Sequence, residues 1–145
     1  MHVRTIIHGK GDRVEVIQPS ESLHIAVKLM RSAGVGALVV SPDGTAIDGI
    51  ISERDIVRRL ATVGPDALGE PVSGAMTREV VTCQLDDPVE ALMALMTERR
   101  IRHLPVAVDG ALSGIVSIGD VVKARLTQLE NENRALADYV SNPSY

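Results

Sequence analysis

The 145-residue chain has no tryptophan and no phenylalanine, and its two tyrosines, Tyr139 and Tyr145, stand at the C-terminal end. Its core must therefore come from Val, Ile, Leu, Met and Ala. With a net charge of -4 and so few aromatics, the chain is a poor match for single-stranded nucleic acid, which needs aromatic rings in a basic groove. The single cysteine, Cys83, excludes an intramolecular disulfide and suits a reducing compartment. No run approaches the roughly 18 apolar residues of a membrane span, and Met1–Arg13 lacks the apolar centre of a secretory signal. A soluble cytoplasmic protein is expected. A globule of this length hides about 68–70% of its chain surface, enough for one domain or two small modules sharing a core.

What the chain does have is an internal repeat. Val14–Ala61 overlays Val80–Leu126 with an offset of 66 as far as Asp43-Gly44 and Asp109-Gly110. After one deletion the offset is 65, and Gly49-Ile50-Ile51-Ser52-Glu53-Arg54-Asp55 falls on Gly114-Ile115-Val116-Ser117-Ile118-Gly119-Asp120. Two copies are too few for a solenoid and suggest a pseudo-twofold pair. Each copy reads β-α-β-β-α. Short strands (14–17, 80–83) lead into amphipathic helices with apolar residues at i, i+3, i+4 and i+7: Leu23, Ala26, Val27, Met30, then Val89, Leu92, Met93, Met96. Ser22 is the expected cap of the first helix, and Asp87 with Pro88 at N1 that of the second. Gly34 and Gly36 end the first helix region. The runs 38–40 and 104–108 are strands, and Asp43-Gly44 and Asp109-Gly110 are hairpin signals. Closing helices start near Asp55 and Asp120. The division expected is 5–63 and 75–125 for the repeats, 64–74 for a linker, and 126–141 for a C-terminal amphipathic helix.

The Ser-x-x-Asp motifs, Ser52 to Asp55 and Ser117 to Asp120, each sit where a strand runs into a helix. Free N–H groups and the helix dipole favour an anion there. A serine hydroxyl and a carboxylate three residues on could hold the diol of a ribose. The competing reading is a capping box.

A β-α-β-β-α unit present twice, with Gly-Ile-Ile-Ser and Gly-Ile-Val-Ser opening the last helices, resembles the CBS-domain pair, or Bateman module. Ala75-Met76-Thr77 and Arg102-His103-Leu104-Pro105-Val106 also fit that family. The resemblance covers about Thr5–Arg125 and is strongest to small stand-alone bacterial CBS-pair proteins. It implies an α/β pair of pseudo-symmetric repeats, a homodimer, and a non-catalytic regulatory module. The implied ligand is an adenine nucleotide (AMP, ATP or NAD(H)) in the cleft between repeats, with an unknown regulated protein downstream. A ligand-free interaction scaffold is the alternative. The recurrence of the motif within this frame favours ligand binding over capping alone.

The resemblance also assigns roles. One site would use Ser52, Arg54 and Asp55, backbone near Val81, and Arg102 with His103. The other would use Ser117 and Asp120, Lys10, backbone near Glu15, and Gly36 with Ala37. Aliphatic strands would wall the base. Arg102-His103 stands opposite Gly36-Ala37 in the repeat, and Arg54 opposite Gly119, so the first site is expected to prefer more phosphate. There Arg102 would clamp phosphate and His103 would attract it when protonated. The competing reading is a solvated arginine run at a helix C-terminus.

No nucleophile–base pair, phosphate loop or metal-ligand spacing is present. Catalysis of the IMP dehydrogenase kind would need a barrel of about 250 residues. Cys83 is expected to be an inert buried thiol, and Met30, Met93 and Met96 core. In the tail, Leu126, Leu129, Asn133, Leu136 and Val140 step by 3 and 4, a heptad seam with Asn133 at a core position. So short a helix is unstable alone. It packs either on its own module or on a partner's helix, and Asn142-Pro143 ends it.

Overall fold

The structure, a computed structural model, describes residues 1–142. The order is α1 (Val3–Lys10), β1 (Val16–Ile17), α2 (Leu23–Ala33), β2 (Ala37–Val40), β3 (Gly49–Ser52), α3 (Glu53–Val63), 3-10 turns at Pro65–Gly69 and Val72–Gly74, α4 (Val89–Arg99), β4 (His103–Val108), β5 (Ala111–Ser117) and α5 (Ile118–Ser141). In the first repeat β1 pairs parallel with β2, and β2 antiparallel with β3. In the second, β4 and β5 form an antiparallel hairpin.

The repeat extends to the core side chain by side chain. One buried cluster holds Ile17, Leu23, Ala26, Met30, Leu38, Val40, Ile51, Ile56 and Val72. The other holds Cys83, Val89, Leu92, Met96, Leu104, Val106, Val116, Val121 and Val3. The first eight pairs obey the sequence offsets of 66 and 65. The ninth does not: Val72 precedes the second repeat yet packs in the first, and Val3 precedes the first repeat yet packs in the second. The backbone repeats this exchange. Leu23 N donates to Glu70 O and Val72 N to Glu21 O, while Val89 N donates to Met1 O and Val3 N to Asp87 O. Each repeat is therefore completed by the arm that leads into the other, with an offset of 69 between the arms. α1 carries the first arm onto the second repeat. The stretch 64–74, expected as a linker, is the second arm, held to α3 by the Arg59–Glu70 ion pair at 2.6 Å.

Local expectations fare unevenly. Ser22 caps α2 by accepting from Ile25 N at 3.2 Å, and left-handed Gly34 (φ 67) ends it. Asp87 does not cap α4. Its carboxylate turns back to accept from Gln84 N at 2.8 Å, Pro88 takes the cap position, and the arm's Met1 carbonyl takes the Val89 N–H. Asp109 and Gly110, both at positive φ, make the two-residue turn expected between β4 and β5. Asp43 instead braces a wider loop, 41–48, accepting from Thr45 N and Ala46 N. Those N–H groups lower its pKa to about 2. Val27, expected in the core stripe, is 39% exposed.

The expected strand 80–83 shrinks to a single parallel bridge, Cys83 with Val106, and Pro105 explains why. In the first repeat, Val39 N donates to Glu15 O and Ser41 N to Ile17 O. In the second, Ala107 N donates to Cys83 O, the counterpart of the latter bond. The former has none, because the residue matching Val39 is Pro105, which lacks an N–H. The ladder ends one rung short, and the Val81 carbonyl accepts no hydrogen bond among the described residues.

Candidate functional site

Two clefts open between the repeats. Cleft A, about 520 Å³, is lined by Ser52, Arg54, Asp55, Val81, Arg102 and His103, the full set expected for the first site. Cleft B, about 650 Å³, is lined by Lys10, Glu15, Gly36, Ala37, Ser117 and Asp120, the full set expected for the second. Both volumes suit a small-molecule site, typically about 300–1,000 Å³.

The motif serines are N-caps and the aspartates complete capping boxes in both repeats. Ser52 N donates to Asp55 Oδ2 at 2.9 Å, and Ser117 N to Asp120 Oδ2 at 2.9 Å. Capping and ligand binding are thus not exclusive. The cap engages Oδ2 of each aspartate, and Oδ1 of each has no hydrogen bond among the described residues. Glu53 N donates to Gly36 O and Ile118 N to Arg102 O. These bonds tie the segment before β2 or β4 to the helix start of its own repeat.

The clefts differ in charge. Beyond Arg54 and Arg102, cleft A gathers Arg58, Arg99 and Arg100, against Glu53, Asp55 and Glu79. Sequence reasoning missed these three arginines as site residues. Arg58 was legible, one turn after Arg54. Arg100 caps α4 in a left-handed conformation, φ 54, at the position of Gly34, and its carbonyl accepts from Arg54 Nη1 at 3.3 Å.

Cleft B holds two cations, and both are paired. Lys10 Nζ lies 2.6 Å from Asp120 Oδ2 and 3.0 Å from Ile115 O. Arg13 lies 3.0 Å from Glu15. Burial works against the Asp120 charge, but Lys10 and the Ser117 N–H outweigh it and hold the carboxyl below its usual range. By the arm offset, Lys10 of cleft B corresponds to Glu79 of cleft A.

His103 lines both clefts. A Cβ on Gly36 would meet its Cε1 at 3.5 Å and the Glu53 carboxyl at 3.6 Å, ordinary van der Waals contact, so the imidazole packs beside this residue between the two sites. Burial lowers the His103 pKa below the ordinary histidine value; Glu53 and Asp120 oppose this, and Arg102 and Lys10 add to it. Protonation of His103 is thus disfavoured by its setting, and a charged clamp rests on the arginines. Cys83 is buried, and burial, with Asp87 nearby, pushes its thiol up to about 12, as befits an inert core thiol. Among the described residues no cluster of metal-ligating side chains occurs, and no helix is long and apolar enough to cross a membrane.

Comparison with known proteins agrees with this architecture. The CBS domain pattern matches residues 11–62 and 72–127. The mitochondrial CBS domain-containing protein CBSX3 of Arabidopsis thaliana is 40% identical over 124 residues, which cover 83% of this chain and 60% of that one. The chain thus spans under two thirds of that relative's length. The crystal structure of the CBS-domain containing protein ATU1752 from Agrobacterium tumefaciens superposes with a TM-score of 0.83 at 41% identity, covering 86% of this chain and 92% of that one. The CBS domain pair of protein MJ0100, solved with 5′-methylthioadenosine and S-adenosyl-L-methionine, shares the fold at a TM-score of 0.78 and 23% identity, covering 88% of this chain and 98% of that one. Two repeats, completed by exchanged arms and matched twice by the same family, make this chain a member of the CBS-domain family, built as a tandem pair.

Proposed function

We propose that the protein is a non-catalytic regulatory module that binds adenosine nucleotides (AMP, ATP or NAD(H)) in the clefts between its repeats. The observation that carries this reading is the duplicated Ser-x-x-Asp cap. At both helix starts a carboxylate is held rigidly by its own cap, faces an inter-repeat cleft and keeps Oδ1 unengaged, suited to the hydroxyls of a ribose. In cleft A the unpartnered Val81 carbonyl is an acceptor matched to the exocyclic amine of adenine, and the arginines are matched to phosphate. In cleft B the Glu15 carbonyl is already bonded to Val39 N and the cations are paired. Cleft B therefore suits a ligand with less phosphate. The MJ0100 pair, solved with 5′-methylthioadenosine and S-adenosyl-L-methionine, supports the reading from a protein of the same fold.

Each cleft takes side chains from both repeats, so a bound ligand bridges them. Its differential affinity for the closed arrangement would shift the population and alter the surface offered to a regulated partner. Isothermal titration of the full chain with AMP, ATP, NAD, GMP and adenosine tests the reading. Adenine nucleotides bind and GMP binds at least about 10-fold more weakly, roughly the 1.4 kcal/mol of one missing hydrogen bond. No heat with any nucleotide would favour the ligand-free scaffold.

A further inference from the structure

The second half of α5 leaves the body of the protein. Residues 129–142 are exposed without exception, although the helix continues unbroken from Ile118 to Ser141. A helix that packs on nothing gains little from propensity alone. The exposure is also patterned. Val122 (45%), Leu126 (55%), Leu129 (40%), Leu136 (62%) and Val140 (75%), with exposed Asn133, alternate at steps of 4, 3, 4, 3 and 4. They occupy heptad positions d, a, d, d and a, with Asn133 at the central a. Val121 and Ala124, on the opposite face, pack into the core of the second repeat. The seam therefore faces outward from within the module to the end of the helix, about 28 Å at 1.5 Å per residue.

We propose that this seam is the contact for a second copy of the same chain, as a parallel two-stranded coiled coil. The charges flanking the seam select both the occupant and its direction. In a parallel pair, Arg125 at g faces Glu130 at e of the second copy, once on each side of the seam. Arg125 contacts Glu90 and Gln128 of its own chain through Nη1 alone, which leaves its other nitrogens for that pairing. In an antiparallel pair in which a positions meet d positions, Glu130 would face Glu130 and Glu132 would face Glu132, like charge on like. Asn133 agrees with the parallel choice. In a parallel pair it meets Asn133 of the second copy, the arrangement that fixes register and favours two strands. In an antiparallel pair its amide would lie against Leu129.

Sedimentation equilibrium of the full chain, with an oxidative cross-link, tests the proposal. The wild-type chain is a dimer. Leu136→Asp, at a position 62% exposed in the single chain, raises the dimer dissociation constant at least 10-fold without lowering the folded fraction. Val140→Cys cross-links to a dimer on oxidation, because parallel helices place the two thiols side by side. Antiparallel helices would separate them by about 27 Å at 1.5 Å per residue. Buried Cys83 does not compete. A monomeric wild type, a dimer indifferent to Leu136→Asp, or a Val140→Cys dimer that fails to cross-link would each overturn the proposal.

Discussion

Pro105→Ala converts the missing rung of the second sheet into a real one. The substitution supplies a backbone N–H at the position where Val39 donates to Glu15 in the first repeat. The new donor should engage the Val81 carbonyl and remove it as an acceptor for a base in cleft A. Two effects on stability oppose each other: a gained hydrogen bond contributes about 0.5–1.5 kcal/mol, and loss of proline's restraint on the unfolded chain costs about 0.4–1 kcal/mol. The melting temperature should hardly move. Affinity should move, because one neutral hydrogen bond to the adenine amine is lost, about 0.5–1.5 kcal/mol, or about 2- to 13-fold in Kd. IMP, which carries a carbonyl in place of that amine, should lose nothing, so the preference for AMP over IMP shrinks by the same factor. Calorimetric titration of both ligands gives the ratio, and hydrogen exchange reports whether the new amide is protected. A protected amide at residue 105 together with an unchanged AMP-to-IMP ratio would refute the reasoning.

Arg102→Ala should weaken AMP in cleft A by about 10- to 150-fold, the roughly 1.5–3 kcal/mol of a charge-assisted bond. Adenosine should be little affected, and equal losses for both ligands in calorimetry would assign Arg102 to the fold or the base. Gly49→Ala places a Cβ 2.6 Å from Met76 Sδ and 2.8 Å from the Thr77 carbonyl, and should cost about 1–3 kcal/mol by overpacking. Its counterpart Gly114→Ala has one tight contact, with the flexible end of Ile7 at 3.0 Å, and should cost less, a ranking that chemical denaturation checks directly. For His103 the folded pKa is lowered, so the unfolded chain, titrating near 6.5, binds more protons in the interval between the two values. Stability therefore rises with pH through that interval and is fully present above about 6.5. His103→Gln should flatten that slope in melting curves taken across it, and an unchanged slope would place its origin elsewhere.

The fold was legible because both copies keep the same apolar positions. Eight of the nine core pairs follow from the sequence offsets alone. The exchange of arms was not legible, because the arms obey an offset of 69 and the three-residue difference falls in the polar stretch Gly11–Arg13, where no apolar pattern records it. The short helix α1 was missed for the same reason: only Val3 is buried, and what it packs against lies in the other repeat. The strand expected at 80–83 failed through a residue on its neighbour, since a proline's missing donor shows only once the pairing is known. That the twelve candidate residues would line the two clefts was legible from the duplicated motif together with the family resemblance. Arg58 was legible too, one turn after Arg54 on the same helix, although sequence reasoning missed it; Arg99 and Arg100 were not, because only the fold brings the end of α4 against the start of α3.

The most direct test of the account is calorimetric titration of AMP into the wild-type chain and into the double variant Asp55→Asn, Asp120→Asn. Asparagine keeps an acceptor for each cap and removes the charge offered to the ribose. A charged hydrogen bond contributes about 1.5–3 kcal/mol and a neutral one about 0.5–1.5 kcal/mol, so the account predicts a loss of about 1–1.5 kcal/mol, roughly 5- to 13-fold in Kd, at each site. 2′,3′-Dideoxyadenosine, which lacks both the diol and a phosphate for the Lys10 ammonium that the variant releases from Asp120, should bind the wild type and the variant alike. A folded double variant that binds AMP as tightly as the wild type would contradict the assignment of the clefts.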